Sequence, residues 1–258
     1  MSEGIAIERS GAIVTVTLDR PERRNAIDFA MWKALGALFA DLARDHALRG
    51  VILTGTGDCF SAGADISDFE ETRATPHQGI AYEETVDTAC DAIADFGRPV
   101  IAAIRGYCYG GACNLAMASD FRFVAPGTKF AIPAAKLSIV YSARGMARLV
   151  ALVGLAEAKR ILYTAQPFEA AAALSIGFAD AIEEDPVAAA RRWLESISLL
   201  APLSISGSKT ILNMIAMPET PFDHALAHDV TYRALISADY AEGRDAFAAK
   251  RAPNFKGE

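Results

Sequence analysis

Two short glycine-rich stretches hold the residues best suited to chemistry. Residues 61–65 read Ser61-Ala62-Gly63-Ala64-Asp65, and residues 106–112 read Gly106-Tyr107-Cys108-Tyr109-Gly110-Gly111-Ala112. Each follows a short apolar run, Val51 to Leu53 and Pro99 to Ile104. Glycine at a strand-to-helix turn lets the backbone approach a ligand and aim N–H groups at it. Two such turns facing each other would supply a pair of donors for a developing oxyanion. Either stretch alone reads as a tight turn; the ordered pair is the specific signal.

The elements that must position these turns follow from periodicity. Gly4 to Leu18 alternates in β-branched runs around Ser10-Gly11 and predicts a hairpin. Asp19 to Asn25 is a polar, basic loop. Asp28 predicts an N-cap, followed by helical spacing at Met31, Leu35, Leu38, Phe39 and Leu42. The acidic stretch through Glu70, Glu71, Thr75, Pro76 and His77 reads as a mobile loop leading into a helix near Tyr82 to Phe96. Gly106 to Gly111 reads as a turn, Ala112 to Ser119 as a helix, and Asp120 to Ala125 and Lys129 to Ile132 as strands. From Ala143 onward helices dominate, with one strand expected near Phe178 to Ile182. Strand–strand–helix units recur without a sequence repeat, so the fold class expected is α/β. Residues 1–198 form the expected core and 199–258 a helical region interrupted by Pro202, Pro218 and Pro221.

The 258 residues are 52% apolar and 22% charged, which excludes wholesale disorder. A net charge of −7 argues against nucleic acid or an anionic membrane as a partner. An anionic ligand would need a local basic patch or backbone N–H groups. No stretch approaches the roughly 20 uninterrupted apolar residues that span a bilayer, and the start lacks a secretory pattern. Cys59, Cys90, Cys108 and Cys113 form no C-x-x-C. A reduced, cytoplasmic chain without structural zinc is expected.

Arg20-Pro21…Asn25-Ala26, Phe60 to Ile66, and Gly106-Tyr107…Gly110-Gly111…Leu115-Ala116…Ser119-Asp120 resemble the enoyl-CoA hydratase/isomerase (crotonase) superfamily. The ending Asp239-Tyr240…Glu242-Gly243…Phe247…Lys250-Arg251…Pro253-Asn254-Phe255 is similar too, so the resemblance runs from Ile5 to Phe255. It implies a spiral of ββα turns with a C-terminal helical trimerisation region, and a homotrimer or a hexamer made of two trimers. The implied ligand is an acyl-CoA thioester, with coenzyme A entering only as part of the substrate and no separate cofactor or metal. Its carbonyl would sit between the N–H groups of Ala64 and Gly111, beside Gly110. The backbone at Ala62, Asp65 and Ile66 would cradle the adenine, Arg23 or Arg24 would face the phosphates, and Phe247 and Lys250 would close over CoA from a neighbouring subunit.

The departures are as informative. The hydratases of the superfamily carry a glutamate three residues after the second oxyanion glycine and another twenty residues beyond it. Here those positions are Asn114 and Ala134. Asparagine cannot take a proton at neutral pH, and alanine can neither position nor protonate a group. Loss of one general acid–base group typically costs about 10²–10⁴-fold. Decarboxylation of a malonyl-type thioester needs no base, because departing CO₂ leaves an enolate that two N–H groups can stabilise; a weak acid must then protonate carbon. Phe130…Leu137…Tyr141 and Tyr163-Thr164-Ala165 are similar to the methylmalonyl-CoA decarboxylase branch, in which the tyrosine matching Tyr141 lies at the substrate carboxylate. That branch has a histidine where this chain has Ala64 and a threonine where it has Pro133. A lyase of a short malonyl-type CoA is therefore the first expectation. A hydratase or isomerase with displaced acid–base groups and a silent acyl-CoA-binding protein are the alternatives.

Smaller signals remain. Arg144 is a candidate for a substrate carboxylate, with Arg148 structural. Asp68, Glu70, Glu71 and Glu84 are candidates for a replaced carboxylate, although solvated charges are the plainer reading. His224 and His228 have i, i+4 metal-ligand spacing next to Asp229 but no third ligand pattern. Cys108 and Cys113 read as small apolar filler. No G-x-S-x-G, Walker A or G-x-G-x-x-G is present.

Overall fold

The computed structural model describes residues 3–217, 232 and 235–254. The hairpin forms as expected, with β1 (Ile5–Ser10) antiparallel to β2 (Ile13–Leu18). β2 then pairs in parallel with β3 (Gly50–Gly55), β3 with β4 (Val100–Ile104), β4 with β6 (Phe121–Val124), and β6 with β9 (Ala181–Ile182). A smaller sheet has the order β5 (Tyr107–Tyr109), β7 (Lys129–Ala131), β8 (Phe168–Glu169). Together they give the mixed α/β architecture.

The large sheet is covered on both faces, as parallel strands require. Side chains alternate between two cores. Val51 and Leu53 face the main core with Val14, Val16, Val100, Ala102 and Ile104, while Ile52 turns to the other face with Ile13, Ile101 and Phe123. That second face is closed by Ala189, Ala190 and Leu194 of α7 (Pro186–Ile197). On the main-core side, α1 (Phe29–Leu42) buries Met31, Trp32, Leu35 and Phe39, and the predicted Asp28 cap is present, accepting from Met31 N at 2.8 Å.

Three local expectations are corrected. The acidic stretch is not one irregular loop: Ile66–Asp68 is a 3₁₀ turn, α2 (Phe69–Thr72) follows, and α3 runs Pro76–Ala94. The helix starts earlier than its apolar periodicity suggests because Thr75 and Gln78 form a reciprocal capping box with proline at the first turn. The turn at 106–111 contains β5, which pairs with β7. Only Ala181–Ile182 of the expected strand at 178–182 is extended, since Phe178 packs edge-on against Phe130 and Phe168.

The remaining helices are α4 (Gly111–Ala118), α5 (Ala143–Thr164), α6 (Ala170–Ser175), α8 (Pro202–Ala216) and α9 (Ala238–Ala248). Among the described residues, no single helix is long and apolar enough to cross a membrane. α8 is tied to the body by Lys209 on Asp120 (2.8 Å) and Asn213 on Ala94 O (3.1 Å). It still leaves Leu203, Ile211, Leu212, Met214 and Ile215 exposed.

Candidate active site

The two turns meet. Ser61 bridges Cys108, with Ser61 N donating to Tyr107 O at 3.0 Å and Tyr109 N donating to Ser61 O at 3.2 Å. Ala64 bridges Ile27 through Ile27 N to Gly63 O and Asp65 N to Ile27 O, both 2.8 Å. This pairing turns the Ala64 N–H away from Ile27. Gly111 is the first residue of α4, where an N–H has no partner within the helix. Among the described residues, neither the Ala64 N–H nor the Gly111 N–H donates within the protein. The two positions adjoin: a Cβ built on Gly111 would lie 3.6 Å from Ala64 N, and one built on Gly63 would lie 3.3 Å from Gly111 N.

Sterics explain the glycines. Gly63 has φ +96°, and a Cβ there would meet Tyr109 O at 2.4 Å. A Cβ on Gly111 would meet the Trp32 ring at 2.9 Å. Trp32 itself is fixed by its Nε1 donating to Tyr82 Oη at 3.1 Å. Gly63→Ala is accordingly expected to lower the urea midpoint and reduce acyl-CoA turnover together. Strain at a left-handed position and a backbone clash of this kind cost about 1–3 kcal/mol. A wild-type melting curve with wild-type turnover would refute the tight apposition.

Asn25 was quoted only as part of a motif, yet it clamps the basic loop to the first turn. It is buried, its Nδ2 donates to Thr56 O (2.9 Å) and Cys59 O (2.6 Å), and its backbone oxygen accepts from Ser61 Oγ (2.7 Å). Arg23 and Arg24 are exposed beside it, and Arg24 O accepts from Ala62 N at 2.9 Å, so that N–H is spent. Asp65 is buried, and its carboxylate binds Ser67 (Oγ, 2.7 Å) and Arg20 (3.0 Å). Burial works to raise its pKa, but these Ser67 and Arg20 interactions prevail and hold it below the usual range. Ile66 is exposed next to it.

On the other side, the Tyr141 hydroxyl donates to Gly110 O at 3.2 Å. Burial, with Cys113, Cys90 and Glu83 nearby, holds this phenol protonated far above its ordinary range. Asn114 is buried one turn into α4, where Arg148 reaches its Oδ1 at 3.5 Å. Ala134 is buried at the start of the 3₁₀ segment Pro133–Leu137. Arg144 does not join the turns: it is exposed and paired with Asp91 of α3, which also binds Arg148. Phe247 and Lys250 are exposed at the end of α9, whose Gly243 packs on Leu137. Asp68 is not a free charge, because it accepts from Phe29 N at 2.9 Å; Glu70, Glu71 and Glu84 are exposed. The thiols of Cys108 and Cys113 are buried and unpaired by disulfide, with Cys113 donating to Cys108 O at 2.9 Å. His224, His228 and Asp229 lie outside the described residues.

Comparison with known proteins gives the family. The curated carnitinyl-CoA dehydratase of Salmonella typhi is 35% identical over 266 residues, covering all of both chains. A crystal structure of an enoyl-CoA hydratase/carnithine racemase from Magnetospirillum magneticum is 36% identical, with a TM-score of 0.81 over 100% of this chain and 97% of that one. A methylmalonyl-CoA decarboxylase in complex with 2-nitronate-propionyl-CoA is 25% identical, with a TM-score of 0.91 over the whole of both chains. The enoyl-CoA hydratase/isomerase family model matches residues 8–258, and with this and the crotonase-like fold, the chain belongs to that family.

Proposed function

We propose that this acyl-CoA enzyme holds a thioester enolate oxygen between the N–H groups of Ala64 and Gly111, and that its reaction is lyase-type, the decarboxylation of a short malonyl-type CoA. The observation that carries the reading is the pair of adjoining, uncommitted N–H groups, in a chain that has Asn114 and Ala134 at the two positions where the hydratases carry glutamate. Cleavage of the bond from the α-carbon to the carboxylate would release CO₂ and push its electron pair toward the thioester oxygen, where the two donors stabilise it. Orienting the departing carboxylate is assigned to Tyr141, whose hydroxyl would turn to it from Gly110 O. The overall likeness to a methylmalonyl-CoA decarboxylase supports this choice. The reaction needs no cofactor beyond the substrate's own CoA.

CoA binding is assigned to the exposed Arg23 and Arg24, to the backbone at Ala62, Asp65 and Ile66, and to Phe247 and Lys250 from a neighbouring subunit. The apolar face of α8 supports a trimer or hexamer, and a cytoplasmic location fits four free thiols.

A hydratase-type reaction is the second reading, favoured by the curated relatives named carnitinyl-CoA dehydratase. Mass spectrometry of an acyl-CoA panel separates the two. Loss of CO₂ from methylmalonyl-CoA, with no water added to crotonyl-CoA, is expected. Rapid hydration of crotonyl-CoA without decarboxylation would replace the first reading by the second, and an unchanged panel with bound CoA would reject both.

A further inference from the structure

Helix α3 carries Glu83, Asp87 and Asp91 at intervals of four residues, which puts three carboxylates on one face. That face meets the start of α5. Glu83 is paired with Arg73, and Asp91 with both Arg144 and Arg148. Asp87 differs. Among the described residues no ion pair reaches it, and its hydrogen bond comes from the Ser142 hydroxyl, at 2.8 Å. Ser142 directly follows Tyr141, whose hydroxyl is on Gly110 O. The dipeptide Tyr141-Ser142 thus spans from the second turn to Asp87.

The surroundings suit a proton store. Glu83, Cys90 and Asp91 lie near Asp87 on its own helix, and Ser142, Arg144 and Arg148 come from α5 and its cap. Burial, with the like charges of Glu83 and Asp91, pushes the Asp87 carboxyl up to about 6, against the Ser142 hydrogen bond and the Arg144 charge. Ser142 Oγ also accepts from Gly145 N at 3.0 Å, which fixes the oxygen; its hydrogen goes to Asp87 while that group is a carboxylate and is released when a protonated Asp87 becomes the donor to Oγ.

We propose that Asp87, acting through the Ser142 hydroxyl, returns the proton that the enolate α-carbon needs, a task for which positions 114 and 134 provide no carboxyl. This rests on the enolate reading above. The Asp87 carboxyl gives its proton to Ser142 Oγ as Ser142 gives its own to carbon. A C–H bond forms, the enolate collapses to the thioester carbonyl, and the Asp87 carboxylate regains a proton from water. Asp87 is a positioning and relay residue, since in this proposal the group that meets the substrate is the Ser142 hydroxyl, next in the chain to the Tyr141 that reaches Gly110 O.

By microscopic reversibility, the same groups exchange the α-hydrogen of a saturated acyl-CoA. The experiment follows deuterium entry into propionyl-CoA in D₂O across pH 4.5–8.5. The wild-type rate is expected to rise through an ionisation near 6, because the carboxylate form takes the proton off carbon. Asp87→Asn is expected to lose about 10²–10⁴-fold and the inflection, while binding propionyl-CoA as tightly as before. Asp87→Glu should recover part of the rate, and Ser142→Ala should fall while Asp87 remains. Burial disfavours the Asp87 charge, so Asp87→Asn is expected to melt no lower than wild type at neutral pH, which separates the loss from misfolding. An Asp87→Asn protein exchanging at the wild-type rate, or one that is slower with the inflection intact, overturns the relay and leaves the enolate reading standing. A wild-type protein that binds propionyl-CoA but neither exchanges it nor decarboxylates methylmalonyl-CoA overturns both.

Discussion

Replacing Ala64 by proline is expected to cut the turnover of the proposed malonyl-type thioester by about 10²–10³-fold, the loss seen when one oxyanion donor is removed. Proline removes the N–H, which at this position has no internal partner to lose, and puts its ring carbon where that hydrogen pointed. Because that ring carbon adds bulk, the CoA-binding titration reads any loss of substrate binding separately from the loss of the donor. The loss should fall on kcat, because the bond to the thioester oxygen strengthens as negative charge develops and contributes little to the ground state. Ala64→Gly keeps the N–H and serves as the reference. Steady-state kinetics with a CoA-binding titration checks the claim: equal kcat for the two variants would remove Ala64 from the reaction.

The largest loss of stability is expected from Arg122→Ala. This guanidinium is buried against the end of α4. Its Nε donates to Phe178 O (2.8 Å), its Nη1 to Ser119 O (2.9 Å), and its Nη2 pairs with Asp180 (2.7 Å). Truncation would leave the carbonyls of Phe178 and Ser119 without this donor and Asp180 with the Arg122 backbone N–H (2.7 Å) in place of the ion pair. Removing one member of a fully buried pair costs about 3–5 kcal/mol, and the part-exposed Asp180 moves the expected loss to the lower end of that range. The cation also sits where the carbonyls of α4 end, which a positive charge favours. Urea unfolding at unchanged slope, with the midpoint moved down, is the expected result; a shift worth under about 1 kcal/mol would show the pair to be dispensable. Because α4 begins at Gly111, the unfolded fraction should account for any lost activity. The folded fraction should keep its kcat.

Much of this was legible in the chain because the signals are local. The Asp28 cap and the alternation of 5–18 are decided by neighbours within a few residues, where sterics and short hydrogen bonds dominate, whereas the glycines at 63 and 111 are legible by residue type but required by Tyr109 O and the Trp32 ring, far along the chain. The order of the two turns also carried the family, and the residues at 114 and 134 show directly that no carboxylate stands there. The early start of α3 was readable as well, since Thr75, Pro76 and Gln78 form a recognisable capping signal that the apolar period alone conceals.

The tertiary structure decided what depends on distant packing. Arg144 looked available for a ligand until its partner was found on another helix, 53 positions earlier. The bond from Tyr141 to Gly110 spans 31 positions, and that from Ser142 to Asp87 spans 55. Asn25 became a clamp only when the first turn folded onto it. Three carboxylates on one face of α3 are visible in the sequence as a period of four. Which of them lacks a cation is not, because arginines from α5 and from the segment before α3 are shared out by packing. Sequence by itself determined the family, the two turns and the missing glutamates, since each is a property of residue type and spacing. Only the fold decided which charges are neutralised and which N–H groups stay unspent, because both are set by groups brought together from far along the chain.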